Sequence, residues 1–330
     1  MNLKKQRIWI ATLLLVLCIA EAQAETIVIE DCGECAGHVI LGMDKLTDCG
    51  YGSDIDLDKV FGGSYDHKEI ILGNKAVSVV SGSHDITLDQ VIIDVFDQED
   101  TAAFFVAPGA EVHLTLENES ILVSSDGCAG IQVPQGAKLK IMEESTGHIT
   151  AWGGMNGAGI GGGMGQSSGE IGIFGGTVIA KTRRDDKYIP QCAGIGGGMY
   201  GGYERIVVSG GMVYAEGYNI GIGGECSETG GNIEISGGIV YAIGDEMGAA
   251  IGGVSENLNT EITITGGTVY ASGGYDEGIA IGCNYGTIRF DGGIVYVIGQ
   301  ILSDDENGRL IVADGLVSAN GLLLTQSVEN

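Results

Sequence analysis

From about residue 70 to residue 315, apolar and polar positions alternate in short runs broken by glycine, with no helical stripe. The clearest runs read Ile233-Glu-Ile-Ser-Gly-Gly-Ile-Val-Tyr-Ala242 and Ile262-Thr-Ile-Thr-Gly-Gly-Thr-Val-Tyr-Ala271, with looser copies starting at Ile171, Ile206 and Ile288. Between them recurs Ala-Gly-Ile-Gly-Gly-Gly, as Ala158 to Gly163 and Ala193 to Gly198, with degenerate copies at Ile220, Ala249 and Ile279. The central isoleucines of this second unit, Ile160, Ile195, Ile222, Ile251 and Ile281, are spaced by 35, 27, 29 and 30 residues. The first glycines of the Gly-Gly pairs, Gly175, Gly210, Gly237, Gly266 and Gly292, are spaced by 35, 27, 29 and 26. Two independent markers share nearly one period, so the chain is a repeat. Older copies are legible in Ile86-Thr-Leu-Asp and Leu114-Thr-Leu-Glu, and in Val106-Ala-Pro-Gly-Ala against Val133-Pro-Gln-Gly-Ala.

Strands this short cannot bury a face alone, but copies stacked on one another share a continuous core. The pattern therefore predicts an all-β fold, a single-stranded parallel β-helix (β-solenoid) of about nine turns of 27–30 residues. Alternation assigns the faces. In Ile-x-Ile both isoleucines point inward. In x-Val-Tyr-Ala the Val and Ala point inward, which leaves Tyr214, Tyr241, Tyr270 and Tyr296 outward, one per coil. In Ala-Gly-Ile-Gly the same rule places Gly159, Gly194, Gly221, Ala250 and Ala280 outward, as a bare backbone face suited to packing between molecules.

Composition agrees with the repeat. The 330 residues contain 59 glycines and 3 prolines, so collagen and proline-rich disorder are excluded. The N-terminus has the form of a secretory signal: Lys4, Lys5 and Arg7, an apolar stretch from Ile8 to Ala20, and Ala22-Gln23-Ala24 for cleavage. The expected organisation is a signal peptide over 1–24, a cysteine-containing N-terminal cap over 25–69, and a β-helix with a C-terminal cap over 70–330. Without the signal, the 16 basic residues fall to 13 and the 44 acidic to 43, a net charge of −30. Such a surface repels nucleic acid and anionic membrane, and no later segment reads as a membrane span. A secreted or cell-surface location makes disulfides among Cys32, Cys35 and Cys49 the expected use of that cluster, with pairing open.

Several residues carry candidate chemistry. The tyrosine column is a candidate ligand-binding ladder for stacking on sugar rings. The 35-residue repeat inserts Lys181 to Pro190, which contains Arg183, Arg184, Asp185, Asp186 and Tyr188. An insertion in a solenoid becomes a loop on one face, often the binding face. Arginines beside aspartates are the only weak catalytic candidates. Asp245, Glu246, Asp276 and Glu277 recur just before successive glycine corners and are candidate Ca²⁺ ligands, although no cofactor is required by any motif. All five histidines precede the best repeats, and no nucleophile–base grouping is evident.

The Ala-Gly-Ile-Gly-Gly-Gly corners and Ile-x-Ile-x-Gly-Gly-Thr-Val-Tyr-Ala strands resemble the glycine-rich repeats of secreted and surface parallel β-helix proteins, of the architecture of the pectate lyase-like superfamily. That resemblance implies a β-helix and a bias toward polysaccharide. The superfamily includes lyases and non-catalytic members. The lyase pattern of clustered aspartates with a nearby base is suggested here only by Arg183, Arg184, Asp185 and Asp186. The leading expectation is a secreted or surface non-catalytic protein that binds an extracellular polysaccharide or a surface partner. A polysaccharide lyase or hydrolase is one alternative, and a structural or adhesive surface protein another.

Overall fold

The computed structural model describes residues 26–29, 38–42, 45–47, 55–56, 70–73, 76–183, 192–224, 231–244, 248–253, 259–274, 278–283, 285–303 and 308–324. Among the described residues, every pairing of strands between coils is parallel, apart from an isolated antiparallel bridge between Pro134 and Ser168. Antiparallel strand pairs among the described residues occur only at the two ends, in the hairpin His38–Gly42 with Lys45–Thr47, its neighbour Ile55–Asp56, and Gly308–Ala319 with Leu322–Leu324. The molecule is a parallel β-solenoid.

Each coil contributes three strands, as in Ala193–Gly196, Tyr203–Val208 and Met212–Glu216. The first strands form a sheet of ten, running from Thr26–Ile29 to Gln300–Ser303. The second and third strands, together with the antiparallel end strands Lys45–Thr47, Ile55–Asp56 and Leu322–Leu324, form a sheet of 21, joined because Tyr285–Ile298 and Gly308–Ala319 pass through both positions without a break. From Ala76–Val79 to Ile279–Cys283 the first strand occurs eight times, which spans about seven turns. The nine expected from sequence is slightly too many. Beyond this stretch, Tyr285–Ile298 and Gly308–Ala319 carry on the second and third positions and Gln300–Ser303 the first, and antiparallel strands close both ends.

The core is one continuous column of aliphatic side chains. The inward assignment of Ile-x-Ile holds at Ile171/Ile173, Ile206/Val208, Ile233/Ile235, Ile262/Ile264 and Ile288/Phe290, all buried. Val213/Ala215, Val240/Ala242 and Val269/Ala271 are buried likewise. In-register stacking puts like on like, with Ile160 beside Ile195 and Ile195 beside Ile222. Each coil therefore buries apolar area against both neighbours, worth about 25 cal/mol per Å².

The Gly/Ala column departs from its expected outward position. Ala250 and Ala280 are both 0% exposed, and Gly159, Gly194 and Gly221 are buried. A Cβ on Gly194 would lie 2.7 Å from the Glu216 backbone nitrogen and 2.9 Å from the Gly221 oxygen. The third strand of the same coil presses directly on this column, so it is an internal seam and offers no surface for packing between molecules.

One glycine column closes the coil. Gly161, Gly196, Gly223 and Gly252 have φ of 139°, 133°, 139° and 118°, and a Cβ on each would approach the carbonyl oxygen of the equivalent glycine one coil on to 1.8–1.9 Å. Only glycine fits there. Coils nearer the N-terminus use serine for related purposes. The buried Ser120 and Ser145 hydroxyls accept the Val91 and Leu116 amides at 3.1 Å. Ser124 Oγ accepts the Ala103 amide and donates to the Ala129 carbonyl, both at 2.8 Å.

Candidate functional site: an aromatic and aliphatic sheet face

Third strands expose every second residue, and in-register pairing turns those residues into columns. Thr150, Ile179, Tyr214, Tyr241, Tyr270, Tyr296 and Ser318 form the central one. On one side run Thr177, Met212, Ile239, Thr268, Ile294 and Leu316. On the other run Trp152, Lys181, Glu216, Ile243, Ser272 and Ile298. The antiparallel end strand places Leu323 opposite Ser318, which adds another exposed aliphatic beyond the tyrosines. Across the three coils from Ile239 to Ile298 these columns contain no carboxylate, lysine or arginine. Tyr270 is 38% and Tyr296 40% exposed, and Met212, Ile239, Ile294, Ile298 and Leu316 are exposed beside them.

The rings stack on each other like plates. Tyr241 and Tyr270 have centroids 4.8 Å apart and planes 5° apart, and Tyr270 and Tyr296 are 5.0 Å and 11° apart. Tyr214 and Tyr241 are 6.5 Å apart and tilted by 38°. Stacking along the rod covers both faces of Tyr270, so the ladder meets solvent mainly with ring edges and hydroxyls. The expectation of sugar rings lying flat on tyrosine faces does not match this geometry; a ligand would meet edges flanked by aliphatic side chains. The reason is that successive strands are separated by about 4.8 Å, close to the offset-stacking distance of two rings.

The N-terminal end of the ladder is electrostatically closed. Lys181 Nζ lies 5.5 Å from the Trp152 ring centroid and 4.9 Å from that of Tyr214, and it pairs with Glu216 Oε2 at 3.2 Å. The Tyr214 hydroxyl donates to the same Glu216 oxygen at 3.1 Å. Cation–π contact and the ion pair thus tie the root of the inserted segment to the first tyrosine. Sequence reasoning missed Trp152, Lys181 and Glu216 as parts of this face. Their strand positions, two beyond the tyrosine column and hence on the same side, were the available signal.

Arg183 lies nearby, with its guanidinium 3.9 Å from the Phe96 ring centroid and ion-paired to Asp126. Its charge is committed toward the N-terminal coils. Arg184, Asp185, Asp186 and Tyr188 lie outside the described residues, as do the candidate Ca²⁺ ligands Asp245, Glu246, Asp276 and Glu277 and the cysteines Cys32, Cys35 and Cys49. Residues 1–24, read as a signal, also lie outside. Cys128 carries a buried free thiol whose pKa is pushed up by that burial.

The other outward face, on the second strands, has the opposite character. Glu111, Lys138, Glu170 and Arg205 follow one another in register, and Asp85, His113 and Lys140 run beside them. Lys138 pairs with Glu170 at 3.0 Å and Arg205 with Glu234 at 2.8 Å. His113 contacts Asp85 at 2.8 Å and Glu111 at 3.0 Å, and Lys140 reaches the same Glu111 oxygen. The Lys140 ammonium and then His113 hold the Glu111 carboxyl below its ordinary value. Among the described residues no cluster of three or more His, Cys, Asp or Glu has the arrangement of a metal site.

A family model described as beta helix repeat matches residues 171–199, 233–254 and 262–285. These segments contain Tyr241 and Tyr270 of the ladder, while Tyr214 and Tyr296 lie outside them. The chain is a parallel β-helix repeat protein. No curated protein and no solved structure matches the chain. No helix among the described residues is long and apolar enough to cross a membrane.

Proposed function

We propose that the protein is a secreted or cell-surface, non-catalytic binding rod that docks an extracellular macromolecule on the tyrosine face. One observation carries this reading. A chain with 44 acidic and 16 basic residues keeps three successive coils of one outward face free of charge, while the adjacent face is laced with ion pairs. Large exposed patches rimmed by polar residues mark interaction sites, and tyrosine and methionine are enriched where partners meet. The stacked edges and their aliphatic flanks grip by apolar contact, with the hydroxyl row supplying hydrogen bonds. A surface protein with an apolar strip fits these edges better than a flat-stacking sugar does. An extended polysaccharide along the rod remains the second reading, favoured by hydroxyls repeating about every strand spacing.

The test uses the purified chain on an array of extracellular polysaccharides and on a surface-protein fraction of the producing cell. Replacing Tyr241, Tyr270 and Ile294 by Ser abolishes retention, while replacing Lys138 and Glu170 by Gln leaves it intact. Retention that survives the first change sinks the assignment of this face. The lyase alternative draws no support from Arg183, whose guanidinium is engaged by Asp126 and Phe96. Release of unsaturated uronides from a polysaccharide panel would overturn the non-catalytic reading.

A further inference from the structure

We propose that Tyr241, Tyr270 and Tyr296 form an oxidative cross-linking site, where a one-electron oxidant couples neighbouring rings through their ortho carbons and staples successive coils together. This inference goes beyond the docking reading and does not depend on it. Three facts carry it. The rings occupy equivalent positions on adjacent strands, so they differ only by one step along the rod. Their centroids lie 4.8 and 5.0 Å apart and their planes agree within 5° and 11°. Tyr270 and Tyr296 are both among the exposed residues, so a reagent reaches them.

Free phenoxyl radicals couple only on diffusive encounter. Holding two rings in contact makes the step effectively unimolecular, the condition under which proximity gives its largest gain. The stoichiometry is closed. Each phenol gives up one electron and one proton, and two phenoxyl radicals then form one carbon–carbon bond. The hydrogens on the two bonded ring carbons move to the two oxygens, which restores both aromatic rings. The pair has lost two electrons and two protons, and a peroxide acting through a haem-type peroxidase takes them up and becomes water.

The same geometry sets selectivity. Tyr214 is offset from Tyr241 by 6.5 Å and 38°, with its hydroxyl held by Glu216, so it contributes least. Tyr270 is the shared member of both close pairs. A link on either side of it ties coils whose mutual contact is otherwise noncovalent.

The experiment treats the dilute, purified full chain with hydrogen peroxide and a haem peroxidase. The monomer is expected to lose two hydrogens in mass, to gain dityrosine fluorescence, and to yield a peptide joining Tyr270 to Tyr241 or Tyr296. Tyr270→Phe keeps a ring in the stack but removes the phenol, and leaves Tyr241 and Tyr296 two coils apart. Monomeric dityrosine from the two close pairs is then lost, leaving at most the minor Tyr214–Tyr241 product. Tyr241→Phe retains the Tyr270–Tyr296 product, which reports that the variant stack is folded and competent. Tyr200→Phe, at an exposed tyrosine outside the ladder, retains the full signal. Coupling confined to covalent dimers, or monomeric dityrosine unchanged by Tyr270→Phe, overturns the proposal.

Discussion

Second strands meet solvent through Lys138, Glu170, Arg205 and Glu234, whereas third strands meet it through Ile239, Tyr241, Tyr270 and Ile294. Both kinds of strand bury aliphatic columns, mainly isoleucine on the second and valine with alanine on the third, so the difference does not come from the core. Parallel in-register stacking imposes the same geometry on both: each outward residue sits about one strand spacing from its equivalents. On the second strands that geometry is used to alternate charges. Repeated aromatic rings occupy it on the third. Like charges stacked this closely would repel, and the alternation of Lys138 with Glu170 avoids that cost. Rings have no such conflict and gain by stacking. A periodic scaffold amplifies whichever residue it repeats, and only one of the two faces repeats an interaction-prone one.

The largest expected effect breaks both faces together. Gly223→Ala places a Cβ against the Gly252 oxygen at a φ of 139°, and should cost about 3 kcal/mol or more. Urea unfolding followed by circular dichroism measures it; a normal midpoint would show that the corner tolerates a side chain. By contrast, Gly165→Ala meets nothing within 4 Å at a φ of 74°, and should cost only about 1 kcal/mol from backbone strain.

Ser120→Ala comes next, since it strips the buried Val91 amide of its acceptor and should cost about 1–3 kcal/mol. On the tyrosine face, Tyr270→Ala removes two stacked pairs worth about 0.5–1.5 kcal/mol each, so it should lower stability measurably as well as binding. The charged face should be nearly silent. Lys138→Gln breaks an exposed pair worth about 0.2–1 kcal/mol, and a double-mutant cycle with Glu170→Gln measures the coupling.

Acid titration sharpens the contrast further. The folded-state pKa of Glu111 is depressed by Lys140 and His113, so its contribution is complete above the ordinary glutamate value of 4.5 and is lost as pH falls through the lower folded value. Glu111→Gln should flatten the acid side of the stability profile in that window. Replacements on the tyrosine face should leave its slope unchanged.

The fold was legible because isoleucines and glycine pairs recur at nearly constant spacing, and a strand's period of two then assigns its faces. That rule succeeded wherever a strand has one free side, as at Val240 and Tyr241. It failed at Gly194 and Ala250, because alternation along one strand carries no information about a second strand pressing on its other side. The tyrosine positions were legible for the same reason, but their stacking was not. Ring orientation depends on side-chain torsions that only neighbouring coils decide. Lys181 was visible in the inserted segment, yet its seat between Trp152 and Tyr214 joins residues from three coils.

The glycine column that closes each coil also has a mechanical consequence. Backbone hydrogen bonds between coils, such as those from Gly197 to Gly223 and from Gly224 to Gly252, run along the rod. Tension applied at the two ends therefore loads one rung at a time, and the rod should come apart as a train of small, similar force steps. Tension across the rod loads many rungs together and should meet far greater resistance.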